Sequence, residues 1–379
     1  MGLSSREEAL PSINFNFLQQ LARSPRFAAN SAVNLTEIRA GKESRRADPT
    51  MLQIEVTSRC NFRCSYCIVH NGTEKEKPGD MSFDLFQHVL DRFPRSYYLQ
   101  LHGQGEPLLN RELDKMVTLT EKQGRFSSVV SNGSLWTESK SKSLLSAGID
   151  VIAISLDLDS PEEMEFDRIG LKYDQVVRTI GQLIRWRDAI RPLTAVGVSA
   201  VFKRSLIDQP SILRSHVERL DSLGIDFLFV GPLAGTKTYR GRYPPQHLSA
   251  IIPTQDRRKL IPFATHCTVY ETPSTNFVRG RCMWPWMALY VNFDGTVSYC
   301  SNNHRVRVGH VDDQDVINLA IHREIRAEFV AGQIPGGCRG CQYLLALDGT
   351  HEHEEESTSD LVTSILPAKV QRGHNISSL

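Results

Sequence analysis

The chain has no long apolar segment, no signal-like N-terminus and no excess of either charge. No uninterrupted apolar run reaches the roughly 20 residues that a membrane-spanning helix needs. The first residues, MGLSSREEALPSINF, lack the basic patch and apolar core of a signal peptide. The 44 Lys and Arg residues nearly balance the 43 Asp and Glu residues, so the charge gives no sign of nucleic-acid binding. We therefore expect a cytoplasmic protein with neither a membrane nor a nucleic-acid partner.

Cysteine is absent from residues 68–266, and this gap separates two groups. The cysteines occupy positions 60, 64, 67, 267, 282, 300, 338 and 341. A cytoplasmic chain keeps its thiols reduced, and clustered thiols then bind metal or perform catalysis more often than they form disulfides. The two groups predict two metal sites in two domains.

The first group forms a tight loop, Cys60-Asn61-Phe62-Arg63-Cys64-Ser65-Tyr66-Cys67, with the spacing C-x3-C-x2-C. It directly follows a short apolar run, Met51–Val56. Structural zinc needs four closed ligands, and His70 is the only nearby candidate for the fourth. An iron–sulfur cluster held by three thiolates, with one iron open to another ligand, fits this loop better.

Short apolar strands alternate with amphipathic helices from about residue 50 to 235. The predicted strands are 52–56, 97–102, 127–131, 151–156, 195–202 and 227–231. The predicted helices are 83–92, 111–123, 139–147, 173–187 and 210–223. This alternation is typical of βαβ units and a parallel sheet. We expect an α/β fold in which six repeats close most of the way into a barrel, a partial (β/α)6 TIM-like barrel.

Polar motifs follow the first four predicted strands. The three-cysteine loop follows the first, Gly103–Pro107 the second, Asn132-Gly133 the third and Asp157 the fourth. Active sites of parallel barrels lie at the carboxyl ends of the strands. These motifs are therefore expected to meet at one mouth of the barrel.

With these motifs in this order, residues 50–235 resemble the radical S-adenosylmethionine (SAM) enzymes. The resemblance implies that Cys60, Cys64 and Cys67 hold a [4Fe–4S] cluster with SAM on its open iron. It also implies that reduction of the cluster cleaves SAM to a 5′-deoxyadenosyl radical, which abstracts hydrogen from the substrate. The cofactor thus carries the difficult chemistry and the protein positions it.

The resemblance extends residue by residue to SAM contacts. Tyr66 occupies the aromatic position near adenine, and Gly103, Gly105 and Glu106 match the glycine-rich motif that contacts the SAM amino group, here GQGEP rather than GGEP. The remaining implied contacts are Ser131 and Asn132 in the third-strand motif, Ser155 and Asp157 near the ribose or substrate, and Lys203 with Arg204 near the SAM carboxylate.

The second cysteine group surrounds a predicted hairpin, 287–293 and 296–299, with Asp294-Gly295 at its turn. Its members are Cys282, Cys300, Cys338 and Cys341, and on chemistry alone a four-thiolate zinc site is a rival. The pattern C-x12-G-x4-C followed by C-x2-C, with a helix near 315–330, resembles the shortened Twitch form of the SPASM domain. The resemblance implies one auxiliary [4Fe–4S] cluster with four protein ligands, suited to passing electrons.

Cys267 stands apart from both groups, beside His266. It is either a small buried apolar residue or a thiol that returns hydrogen to a substrate radical, as in radical SAM epimerases with a Twitch domain.

The expected organisation is an N-terminal extension (1–48), a radical SAM partial barrel (49–235), a linker or active-site cover (236–275), a Twitch/SPASM domain (276–345) and a polar tail (346–379). The expected function resembles that of aminocyclitol dehydrogenases: oxidation of a small polar metabolite of sugar, aminocyclitol or aminoglycoside type, with flavodoxin or ferredoxin as electron donor. Alternatives are epimerisation as in aminoglycoside epimerases, dehydration or decarboxylation of a sugar nucleotide, ribosomal-peptide modification, and a zinc-stabilised binding module. Residues 1–48 look short for the leader-binding module that peptide modification usually needs.

Overall fold

The computed structural model describes residues 24–67, 77–202, 209–232, 267–271, 277–278, 281–301 and 306–338. The strands are β1 (Met51–Ile54), β2 (Arg63–Cys64), β3 (Tyr98–Gln100), β4 (Phe126–Ser131), β5 (Val151–Ser155), β6 (Arg168–Ile169), β7 (Ala195–Phe202), β8 (Phe227–Pro232), β9 (Thr268–Glu271), β10 (Phe277–Val278), β11 (Arg281–Cys282), β12 (Ala288–Val291), β13 (Thr296–Ser298) and β14 (Arg307–His310). The helices are α1 (Pro25–Arg39), α2 (Phe83–Arg92), α3 (Leu113–Lys122), α4 (Glu138–Ala147), α5 (Pro161–Asp167), α6 (Tyr173–Ile190), α7 (Pro210–Ser222), α8 (Trp284–Met287) and α9 (Ala320–Val330). Short 3₁₀ turns span Pro107–Leu109, Val316–Asn318 and Gly336–Cys338.

One mostly parallel sheet organises the fold, in the order β14-β13-β12-β1-β3-β4-β5-β7-β8-β9. All neighbours from β12 to β9 run parallel, while β13 and β14 are antiparallel additions. The expected α/β partial barrel with a small C-terminal domain is confirmed, since the six predicted strands occur in chain order within this sheet.

Four strands of the sheet were not expected in it: β9, β12, β13 and β14. β9 lies within the segment that the sequence favoured as a linker, and it extends the sheet beyond β8. β12, from the expected hairpin, pairs with β1 in parallel register, Gln53 opposite Tyr290. The C-terminal cysteine domain therefore continues the barrel sheet at its β1 edge.

Alternation along the strands separates two faces. Leu52 and Ile54 of β1, and Leu99 of β3, belong to the large apolar core that the helices cover. Because successive side chains of a strand point to opposite faces, Gln53 and Gln100 lie on the inner face of the sheet. Local signals agree with the helices: Ser82 caps α2 by accepting from the Leu85 N–H.

The described part of the N-terminal extension is an integral layer of the fold. Phe27 of α1 is fully buried against Tyr97, 5.3 Å between ring centroids, in an apolar cluster with Phe126 and Phe227. Asn34 Nδ2 of α1 donates to the Trp286 carbonyl at 3.2 Å. Helix α1 thus joins the barrel to α8, whereas residues 1–23 and the expected tail lie outside the described residues.

Among the helices of the described residues, none is both long and apolar enough to cross a bilayer.

Candidate active site

The three-cysteine loop is locked to the segment that follows β5. β2, within the loop, pairs with β6, so that Cys64 lies opposite Arg168. The Ser65 N–H donates to the Asp167 carbonyl at 2.7 Å, and its hydroxyl donates to Asp167 Oδ1 at 2.9 Å. The loop at the carboxyl end of β1 is therefore braced on both its backbone and its side chains.

The loop thiols are half-buried and suit a group that takes thiolates. Burial raises the pKa of Cys60 to about 11 and that of Cys64 to about 12. A bound metal centre would lower these pKa values again, because its positive charge stabilises the thiolate directly. Among the described residues, no three Cys, His, Asp or Glu side chains are gathered tightly enough for one metal ion. In a cluster the thiolates bind different irons, so Cys60, Cys64 and Cys67 need not converge on one point.

The glycine-rich loop after β3 presses against the backbone of the cysteine loop. A Cβ atom on Gly105 would lie 2.2 Å from the Thr57 carbonyl oxygen and 2.6 Å from that of Arg59. The Glu106 N–H donates to the Arg59 carbonyl at 2.8 Å. Only glycine permits this approach, so the two predicted motifs form one surface.

Glu106 is the buried anchor of that surface. Its Oε1 accepts from Ser131 Oγ at 2.8 Å and its Oε2 from the Asn132 N–H at 2.7 Å. Burial raises the pKa of Glu106 to about 7, against the lowering effect of these hydrogen bonds. Asn132 Nδ2 in turn donates to Asn61 Oδ1 at 2.8 Å, so the third-strand motif also holds the cysteine loop.

Asp157 lies in a buried ion pair that the sequence did not reveal. Arg168 Nε and Nη2 donate to its two oxygens at 2.8 and 2.6 Å, and the Tyr66 hydroxyl donates to Oδ2 at 2.5 Å. Arg168 Nη1 also donates to Ser155 Oγ at 3.1 Å. Burial acts to raise the pKa of Asp157, but the charge and hydrogen bonds of Arg168 outweigh it and the pKa is lowered. Asp157 thus fixes Tyr66, the proposed adenine contact, from inside the fold.

Arg168 carries no motif that sequence reasoning could use. It is the first residue of the two-residue strand β6, directly after α5, and its partner Asp157 lies eleven residues earlier. Tyr66, Ser155 and Asp157 were all predicted from the sequence, and Arg168 is the residue that brings them together.

The inner face of the sheet is polar beside the cysteine loop. Gln53, Gln100 and Ser128 occupy one register row across β1, β3 and β4. The Tyr98 hydroxyl is 2.9 Å from Ser128 Oγ and 3.4 Å from Gln100 Nε2. Gln100 is half-buried, so a ligand above the sheet can reach its amide.

The second cysteine group packs on one small apolar cluster. Its core contains Ile38 of α1, Trp286 of α8 and Phe329 of α9. The thiols of Cys282, Cys300 and Cys338 all pack against this cluster while half-buried. Cys341 lies outside the described residues. Soft thiolates inside an apolar shell suit an iron–sulfur cluster or zinc, so the donor set fits the expected auxiliary cluster.

Cys267 does not reach the mouth of the barrel. It immediately precedes β9, whose first residue pairs with Phe227 at the start of β8. This is the amino edge of the sheet, opposite the carboxyl edge that carries the cysteine loop. Cys267 is fully buried in the main core, and its N–H donates to Asp221 Oδ1 at 2.7 Å. This position corresponds to the small buried apolar residue and gives no geometric support for a hydrogen donor. Lys203 lies outside the described residues.

Two family models match the chain. The radical SAM superfamily matches residues 54–204, and the iron–sulfur cluster-binding domain called SPASM matches residues 282–342. A radical SAM domain is therefore followed by a SPASM domain, and together they imply a SAM-dependent [4Fe–4S] cluster and an auxiliary iron–sulfur cluster.

Curated relatives are similar over part of their length. A tungsten-containing aldehyde ferredoxin oxidoreductase cofactor-modifying protein of Pyrococcus furiosus is 30% identical over 48% of this chain and 51% of its own. A PqqA peptide cyclase of Bradyrhizobium diazoefficiens is 28% identical over 45% of this chain and 44% of its own. The chain thus spans about half the length of these relatives.

Solved structures show the same fold. SuiB of Streptococcus suis bound to its precursor peptide SuiA has a TM-score of 0.58 and 12% identity, covering 83% of this chain and 74% of that one. The anSMEcpe structure with bound AdoMet has a TM-score of 0.53 and 18% identity, covering 71% and 79%. The expected likeness to aminocyclitol enzymes finds only distant support in these comparisons.

Residues 54–204 thus carry a radical SAM domain and residues 282–342 an iron–sulfur cluster-binding SPASM domain.

Proposed function

We propose that this enzyme oxidises a small polar metabolite of sugar, aminocyclitol or aminoglycoside type at a carbon that bears a hydroxyl or amino group. The polar row on the inner face of the sheet carries this proposal. Gln53 donates to the His102 carbonyl and Ser128 pairs with the Tyr98 hydroxyl, so the half-buried amide of Gln100 is the group of this row that can contact a ligand. A substrate with hydroxyl or amino groups can hydrogen-bond to this amide, which both donates and accepts.

The far side of the inner face carries one exposed aromatic ring. Phe229 of β8 is 36% exposed there, in register with Ser199 of β7 and, through it, with Ser155 of β5. The exposed ring of Phe229 offers an apolar contact to the C–H faces of a substrate ring.

Each cysteine set has a defined part in the proposal. Cys60, Cys64 and Cys67 would hold the SAM-binding cluster, and Cys282, Cys300, Cys338 and Cys341 the auxiliary one. When bound, SAM and its cluster supply the radical that removes one hydrogen atom, and the auxiliary cluster supplies an acceptor for the second electron. Glu106, Asn132 and Asp157 hold the loops and Tyr66 in place for that event.

Modification of a ribosomal peptide is the second candidate, and the comparisons favour it. A curated relative is named a peptide cyclase, and a structural neighbour is bound to a precursor peptide. Epimerisation with Cys267 as donor receives less support because that thiol lies at the amino edge of the sheet.

The proposal is tested by anaerobic turnover of SAM with panels of aminocyclitols, aminoglycosides and peptides. A substrate deuterated at the reacting carbon is expected to pass its deuterium to 5′-deoxyadenosine and to yield a ketone or imine. Deuterium gained from D2O at an inverted carbon would instead show an epimerase. Label transfer from a peptide alone would establish the second candidate.

One matched pair of variants links the reaction to the inner face. Gln100→Leu keeps side-chain size but removes both polar groups, and we expect the KM for the polar substrate to rise about tenfold. Substrate-free SAM cleavage should not change. Lys142→Gln on the outer surface of α4 serves as the control. Equal KM values in the two variants would contradict the assignment of the polar row to the substrate.

A further inference from the structure

A single buried carboxylate joins the auxiliary domain to the glycine-rich loop. Glu55 directly follows β1 and is only 2% exposed. Its Oε1 accepts from the Gln104 N–H at 3.2 Å and from the Tyr290 hydroxyl at 3.3 Å. Three segments that are distant in sequence therefore meet at one oxygen atom.

Tyr290 brings the auxiliary domain to this point. It lies on β12, between Cys282 and Cys300, and is fully buried. A Cβ atom on Gly103 would lie 2.5 Å from the Tyr290 hydroxyl oxygen and 2.6 Å from Glu55 Cβ. The hydroxyl thus supports the glycine-rich loop directly by contact and indirectly through Glu55.

We propose that Tyr290 is a positioning residue for the SAM-binding loop and acts through Glu55. The auxiliary-cluster domain then holds SAM in place in addition to accepting an electron. This inference rests on the assignment of SAM to Gly103–Glu106.

The burial of Glu55 makes its hydrogen bond from the Tyr290 hydroxyl important for the position of the loop. A buried carboxylate needs hydrogen-bond donors, because an unpaired charge in the interior is strongly unfavourable. Hydrogen bonds to charged groups are stronger than neutral ones. Removing the Tyr290 hydroxyl takes away one hydrogen bond to Glu55 and leaves an open space beside Gly103. The loop then loses its fixed position against SAM.

The test compares Tyr290→Phe with Tyr173→Phe in the cluster-loaded enzyme. Tyr173 is a matched control, because its hydroxyl is also buried and lies 3.1 Å from His216 Nδ1, on the helix side of the sheet. We expect Tyr290→Phe to raise the KM for SAM about tenfold with kcat within twofold, at unchanged iron content. SAM should also perturb the EPR signal of the reduced cluster only at correspondingly higher concentration. Tyr173→Phe should match wild type in both readouts.

Glu55→Gln provides the second arm, since it keeps the size and an acceptor but removes the charge. If both residues act through one oxygen, the double variant should show about the KM increase of the larger single variant. Multiplying effects, or a KM for SAM that stays at the wild-type value in Tyr290→Phe, would overturn the inference. Failure of wild type to cleave SAM would instead overturn the proposed function, so the two failures are distinguishable.

Discussion

The buried pair of Asp157 and Arg168 provides a quantitative prediction. The two side chains are only 5% and 6% exposed. In Asp157→Asn, the guanidinium keeps its charge but faces a neutral amide that can satisfy fewer of its donors. Removing one partner of a buried ion pair costs about 3–5 kcal/mol. That loss is a large share of the roughly 5–15 kcal/mol that stabilises a typical protein.

The assay is urea unfolding under anaerobic conditions, followed by far-UV circular dichroism. Glu138→Gln is the control, because the Glu138–Lys142 pair is exposed at 63% and 44% and should contribute less than about 1 kcal/mol. The double variant Asp157→Asn/Arg168→Met should recover part of the loss, since it removes the guanidinium charge that Asp157→Asn leaves buried and unpaired. If Asp157→Asn cost no more than Glu138→Gln, the pair would not be the brace described above.

Three further predictions concern Gly105 in the glycine-rich loop, Phe27 of α1 and two buried histidines. Gly105→Ala should abolish SAM cleavage, measured as 5′-deoxyadenosine, because its Cβ would lie 2.2 Å from the Thr57 carbonyl oxygen; near-normal activity would contradict the close packing of the loops. Phe27→Ala should lower the free energy of unfolding by about 3–5 kcal/mol, since its ring is fully buried; a loss under about 1 kcal/mol would contradict that packing. Burial lowers the pKa of His216 and of His322 to about 4, so between pH 6.5 and 4 each imidazole binds a proton in the unfolded chain but not in the folded protein. Each group therefore lowers the free energy of unfolding by about 3 kcal/mol as the pH falls from 6.5 to 4. In urea titrations, His322→Asn should lose less unfolding free energy than wild type as the pH falls. Comparison with wild type cancels the effect of cluster loss in acid. The same pH dependence in both proteins would refute the linkage.

The sequence was most informative where the signal was local. Continuous apolar runs and their spacing predicted the six barrel strands within a few residues. The C-x3-C-x2-C spacing, GQGEP and the third-strand Ser131-Asn132 pair identified residues that hydrogen bonds do join in the structure.

The parts that sequence did not predict depend on non-local pairing. Nothing within β12 signals that it pairs with β1, because an apolar hairpin strand pairs equally well with many edges. Arg168 is a lone basic residue whose role depends on the fold around Asp157. Glu55 did leave a signal, since Gln53 and Glu55 alternate with apolar residues within the β1 region, as expected for a strand with one polar face.

Iron content per chain tests the central claim most directly. Anaerobically prepared wild-type protein should contain about eight irons, four in each cluster. The variant with Cys60, Cys64 and Cys67 all changed to Ala should retain about four and should not cleave SAM. The variant with Cys282 and Cys300 changed to Ala should lose the other four. Colourless, zinc-loaded wild-type protein, or a loss of all iron in the first variant without unfolding, would contradict the assignment of two separate clusters to the two cysteine sets.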